Sequence, residues 1–159
     1  MRFSLVVVAL FILVAVFVQA KLPLWIPFLS RLDLPLIVVI YFGLAQRQPT
    51  HGLVIGMITG LLQDGLSHGA LGMNGLTKML VGFLASSISG RVEVDYPVIR
   101  IAALLAFSVL NLLIFMLLEK LFFAARFSWA HYHLIDSPVL NAVVGFPIFV
   151  LADRYFRRD

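Results

Sequence analysis

The stretch from Gly60 to Gly82, GLLQDGLSHGALGMNGLTKMLVG, places Gln63, Asp64, His68, Asn74 and Lys78 between two strongly apolar segments. Asp64 and His68 are four residues apart, the spacing of a proton relay or a two-ligand metal site on one helix face. The glycines around them weaken the helix that such a geometry requires. A second chemistry is charge neutralisation. An ionised carboxylate inside a membrane costs at least ~2.5 kcal/mol, so Asp64 needs a partner. Lys78, across the turn, is the first candidate, with Asn74, Gln63 and the backbone N–H groups of the turn as further donors. Gly65, Gly69, Gly72 and Gly75 let that turn fold back into the protein as a re-entrant segment. The spacing of three at Gly69, Gly72 and Gly75 lacks the strand context and the Lys-Ser/Thr ending of a phosphate loop.

Other chemistry is thinly represented. His131 and His133 flank Tyr132 near Trp129, a composition suited to seating at a membrane interface, and no third metal ligand accompanies them. No HExxH motif or Ser/His/Asp set is identifiable from spacing. With no cysteine, thiolate nucleophiles, disulfides and thiolate metal sites are excluded. The expected function is therefore binding rather than catalysis, with no cofactor.

The elements that must position the polar stretch follow from spacing. Gly52, Gly56, Gly60 and Asp64 recur every four residues and so form one slowly drifting stripe on a helix. Small residues at this interval let a neighbouring backbone approach closely, which is how helices associate in lipid. Gly82, Ser86 and Gly90 form a second such series on the next helix, its expected partner. Whether the glycine face meets a partner protein or only the chain's own helices is open at this level. Asn111 and Asn141 are expected to form hydrogen bonds between helices.

Composition sets the frame. Of the 159 residues, 62% are hydrophobic and 13% charged, and the mean hydropathy is +1.03, so the chain is expected to be an integral membrane protein with one compact all-α domain over residues 1–159. Six apolar segments are expected as transmembrane helices at 3–20, 34–45, 50–66, 76–90, 98–125 and 138–156. The first ends in Val18-Gln19-Ala20, which resembles a signal-peptidase site, but its length favours an uncleaved anchor. The second is too short to span unaided, so it is expected to pack inside a bundle. Pro49 is expected to end that hairpin, with Thr50 capping the third helix. Residues 21–33, with Trp25, form an interfacial connector.

The net charge of +4 resides at segment ends, where lipid headgroups and topology explain it, and a nucleic-acid partner is not expected. Placing both termini in the cytoplasm puts Arg2, Arg47, Arg91, Arg100, Arg154, Arg157 and Arg158 inside, against Lys21, Arg31, Lys120 and Arg126 outside. Asp153 and the arginines around it are expected at the cytoplasmic surface, in contact with lipid headgroups.

A small polytopic chain whose third helix ends in GLLQDGLSHGALGMNGL, followed by a helix containing LVGFLA, resembles the rod shape-determining protein MreD family. The matching positions are Asp64, the polar turn Ser67–Ala70, then Leu71, Gly72, Asn74 and Leu76, and the resemblance is firm from Leu34 to Gly90. It implies a non-enzymatic subunit of the bacterial elongation machinery in the cytoplasmic membrane. The implied partner is the bitopic protein MreC, with the actin homologue MreB, the glycosyltransferase RodA and a class B penicillin-binding transpeptidase acting indirectly. The family's fold is also similar to the substrate-binding components of energy-coupling-factor (ECF) transporters, so a vitamin-type binding component is the alternative. The residues expected to carry binding or packing are Gly52, Gly56, Gly60, Gln63, Asp64, Gly72, Asn74 and Lys78.

Overall fold

Apolar runs of 12 to 26 residues, separated by proline, glycine and charge, fold as helices because a helix satisfies its own backbone where no water is present. The structure, a computed structural model, describes residues 5–46, 48–67, 71–91, 96–122 and 135–156. The described residues form α1 (Leu5–Trp25), α2 (Leu34–Ala45), α3 (Pro49–Leu66), α4 (Met73–Ile88), α5 (Pro97–Phe122) and α6 (Asp136–Phe156), with a short 3-10 turn at Pro27–Arg31 and no strand. Two helices, over Pro97–Phe122 and Asp136–Arg154, are long and apolar enough to cross a membrane, while Val6–Lys21 and Leu34–Ala45 are shorter apolar stretches.

The bundle is built around α2. Every residue from Pro35 to Leu44 is buried, and α2 touches α1, α3, α4, α5 and α6. At 12 residues it rises only ~18 Å, well short of a ~30 Å hydrocarbon layer. Sheathed by other helices, it need not match that thickness. Val8, Ile12 and Val16 of α1, Val81 and Ala85 of α4, Leu104 and Phe107 of α5 and Phe149 of α6 share its core. Phe42 meets the Phe11 ring edge-on at 6.1 Å, and Tyr41 meets Phe149 at 5.2 Å.

Several helix ends differ from the expected ones for identifiable reasons. Helix α1 continues past Ala20 to Trp25, and Gln19 lies well inside it. Its side chain donates to Leu32 O at 2.7 Å and accepts from Leu34 N–H at 3.1 Å, tying α1 to the start of α2. Pro49 begins α3 instead of ending the hairpin. It occupies the first turn, where its missing N–H costs nothing, and Thr50 does not cap. Helix α4 begins at Met73 and so takes in Asn74, which the sequence places in the turn. Asp153 pairs with Arg100 and accepts from Tyr41 Oη at 3.1 Å, so it joins α2, α5 and α6 and does not simply face lipid headgroups. His68, Gly69, Trp129, His131 and His133 lie outside the described residues, as does the side chain of Trp25.

Helices α3 and α4 pack backbone to backbone. Each step of four up α3 is matched by a step of four down α4: Gly52 faces Gly82 and Ser86, Gly56 faces Lys78, and Gly60 faces Asn74 and Gly75. A methyl group on Gly56 would sit 2.6 Å from the carbonyl carbon of Lys78, and one on Gly60 would sit 2.6 Å from Gly75 Cα. Gly90, placed by spacing in the partner series, has nothing within 4 Å of such a group, and neither has Gly65. Gly56→Ala should therefore push two backbones apart and cost ~1–3 kcal/mol. Gly65→Ala, in an open helical position, should be neutral or stabilise by about 0.5–1 kcal/mol. Thermal unfolding of the two variants in the same detergent checks the contrast, and equal melting temperatures would contradict it.

Candidate functional site

The step of four that carries the glycines reaches Asp64 at the level where the α4 backbone begins. The carboxylate therefore meets not the side of a helix but its free amino-terminal N–H groups. Oδ2 accepts from Gly72 N–H at 2.8 Å and Gly75 N–H at 3.2 Å. Oδ1 accepts from Asn74 N–H at 3.3 Å and Asn74 Nδ2 at 2.8 Å. Gly72, the residue before the helix, has φ +94°, a left-handed conformation that glycine adopts without strain. An anion here is also favoured by the helix dipole.

Lys78 does not neutralise Asp64. Its Nζ lies 2.7 Å from Asp33 Oδ2, and the lysine is fully buried. The connection to Asp64 is indirect, through Asn74, which accepts from Lys78 Nζ at 3.1 Å while its Nδ2 donates to Asp64. The amide is thus oriented, donor toward carboxylate and acceptor toward ammonium. Asp33 is also the cap of α2, taking Leu36 N–H on Oδ1 at 3.1 Å. Its own N–H donates to Asn141 Oδ1 at 2.9 Å, and Asn141 Nδ2 donates to Ser108 Oγ at 3.2 Å. One chain of polar contacts thereby links α3, α4, α2, α6 and α5. Beside it Arg31 pairs with Asp136 at 2.7 Å, and Ser137 Oγ donates to Arg31 O at 2.7 Å.

Of the residues singled out by sequence, Asp64, Gly72, Asn74 and Lys78 meet in this chain, and Gly52, Gly56 and Gly60 lie on the α3–α4 contact leading to it. Gln63 does not join; its Oε1, like Asn111 Oδ1, is buried without a hydrogen-bond partner among the described residues. Asp33, central to the network, was missed because residues 21–33 read as a surface connector. Its signal was present in Asp33-Leu34-Pro35, a capping acid with proline in the first helical turn. Chemically the network is saturated: each carboxylate and amide is occupied by its neighbours. Thr59 and Thr77, also buried, donate to Ile55 O and Met73 O one turn back. Among the described residues no group of three or more His, Asp or Glu side chains is placed to hold a metal ion.

On the other side of the α4 first turn is an open groove of about 390 Å³. Met57 and Leu61 of α3 form one wall, Leu118 and Phe122 of α5 the other, and Leu76 and Met79 of α4 the floor. The groove exists because α3 and α5 both pack on α4 but not on each other. The side chains that line it are all apolar.

A family model described as rod shape-determining protein MreD matches residues 1–156, nearly the whole chain. The chain belongs to the MreD family. No curated protein and no solved structure matches it. MreD proteins are bacterial membrane proteins that determine rod shape and are not a known enzyme family. The bundle suits that setting, since it leaves large apolar side chains such as Leu10, Phe17, Leu113, Leu117 and Val143 uncovered. In this MreD-family chain the buried pair sets a testable asymmetry. Asp33→Asn strands a fully buried ammonium and should cost ~3–5 kcal/mol, whereas Lys78→Met leaves a partly exposed carboxylate and should cost less. The double variant should recover most of the loss, because no unpaired charge remains. Melting temperatures of the four proteins in one detergent test this, and additive losses would contradict it.

Proposed function

We propose that this chain is a non-enzymatic scaffold subunit of the bacterial cell-elongation complex, which binds the transmembrane segment of an MreC-like bitopic protein and so supports peptidoglycan synthesis and cell shape. In this reading it crosses the cytoplasmic membrane six times with both termini in the cytoplasm, and acts on MreB, RodA and a class B penicillin-binding protein only through its partner. The observation that carries the proposal is the family match over residues 1–156. The geometry supports it in two ways. Asp64, Asn74, Lys78 and Asp33 are spent on one another and on the first turn of α4, and the bundle keeps an apolar groove of about 390 Å³ open to the side.

The glycine face is not the docking surface in this proposal, because α4 already occupies it. The groove is the alternative, with α4 as floor and the diverging α3 and α5 as walls. Met57 and Met79 in its lining adapt readily to the shape of an apolar neighbour. A vitamin-type binding component would need polar side chains converging on its ligand. The groove has none, and the level where polar groups do converge is filled by their mutual bonds.

The chain has no cysteine, which makes site-directed crosslinking clean. Cysteine placed at Leu76, Met57 or Leu118 should crosslink to a cysteine in the transmembrane segment of co-expressed MreC. Cysteine at Leu10 or Val143, exposed on α1 and α6, should not. A pattern favouring Leu10 or Val143 would move the partner off the groove, and a vitamin retained through purification would replace the scaffold reading altogether.

A further inference from the structure

We infer, on the reading of the groove as the acceptor of a partner helix, that Asp64 is a positioning residue: it fixes the first turn of α4 where that helix meets it, without touching the helix itself. Asp64 is only 2% exposed, so nothing in the groove reaches its carboxylate. Yet Gly72 and Gly75, whose N–H groups both donate to Asp64 Oδ2, are also lining residues of the groove. The same short piece of backbone has the carboxylate behind it and the groove in front.

Helix α4 depends on this arrangement because it lacks a cap of its own. Most helices begin with a Ser, Thr, Asp or Asn whose side chain binds the first free N–H groups. Here that position is Gly72, which has no side chain, and no side-chain cap bond is made from it. The capping anion comes instead from the end of the preceding helix. Leu61, a wall residue of the groove, approaches the same turn: its Cδ2 is 2.9 Å from where a methyl group on Gly75 would sit. The position of the turn therefore sets the distance between floor and wall.

Replacing Asp64 with Asn keeps the shape of the side chain but removes the charge and one acceptor. The new NH2 group faces either the two N–H donors held by Oδ2 or the two held by Oδ1, and in both cases the turn loses half its anchorage. The loosening is local, since the α3–α4 contacts at Gly52 and Gly56 are untouched.

The test uses the full-length chain co-expressed with full-length MreC, carrying Leu76→Cys in the first turns of α4 or Met57→Cys further down α3. Asp64→Asn should reduce the Leu76→Cys crosslink roughly ten- to a hundredfold, the range that one charge-assisted hydrogen bond carries. The Met57→Cys crosslink should be retained, which a general loss of folding would not allow. Loss of both crosslinks, or of neither, overturns the positioning role. If the chain with Asp64 intact gives no crosslink at either position, the groove itself is not the acceptor, and that earlier proposal fails first.

Discussion

A fully buried ammonium group governs this bundle. Lys78 has no exposure, and an unpaired charge in such a place is prohibitively unfavourable, so the structure must deliver a carboxylate to it. Asp33 does this from the start of the central helix, and in doing so fixes where α2 sits along α4. Once Asp33 is held, its neighbours are held too: Asn141 grips its N–H, Gln19 grips the backbone on either side, and Arg31 reaches Asp136. Helices α1, α2, α4 and α6 thus supply or touch residues 31–34 or Lys78 through polar groups, and the polar groups of α3 and α5 join through Asn74 and Asn141.

An ion pair of this kind is weak evidence for stability, because apolar residues of similar volume pack as well or better. What it supplies is discrimination among alternative registers. A helix of Leu, Ile and Val such as α2 can slide along its neighbours with little penalty, since each apolar side chain resembles the next. The polar chain from Asp64 through Lys78 and Asp33 to Ser108 admits one alignment only. At the other end Arg100, Asp153 and Tyr41 repeat the device across α5, α6 and α2.

How legible was this in the amino-acid sequence? The glycine stripe was readable because its information is one-dimensional: a step of four on one helix implies a face, whatever that face meets. Its partner helix was readable for the same reason, through Gly82 and Ser86, although Gly90 joined the series by spacing alone and stands in open space. The need of Asp64 for donors was also visible, and Asn74 and the turn N–H groups meet it. The partner of Lys78 was not visible. Asp33 lies 45 residues away, and only the docking of α2 on α4 brings the two together. Nearness in sequence favoured Asp64, whereas the fold had already spent that carboxylate on the start of α4.

Helix boundaries failed where a polar residue looked like an edge. Asn74 reads as part of the turn, yet it lies within α4, because its polar atoms find partners inside the protein. Hydropathy locates a membrane edge only if polar groups must reach water. In a bundle whose central helix is sheathed on all sides, polar groups reach one another instead, and the apolar run stops short of the helix it belongs to. The same sheathing explains how a helix as short as α2 serves as the core. Thickness matching constrains helices that touch lipid, so a helix covered by its neighbours is free of it and follows the positions of Asp33 and Lys78.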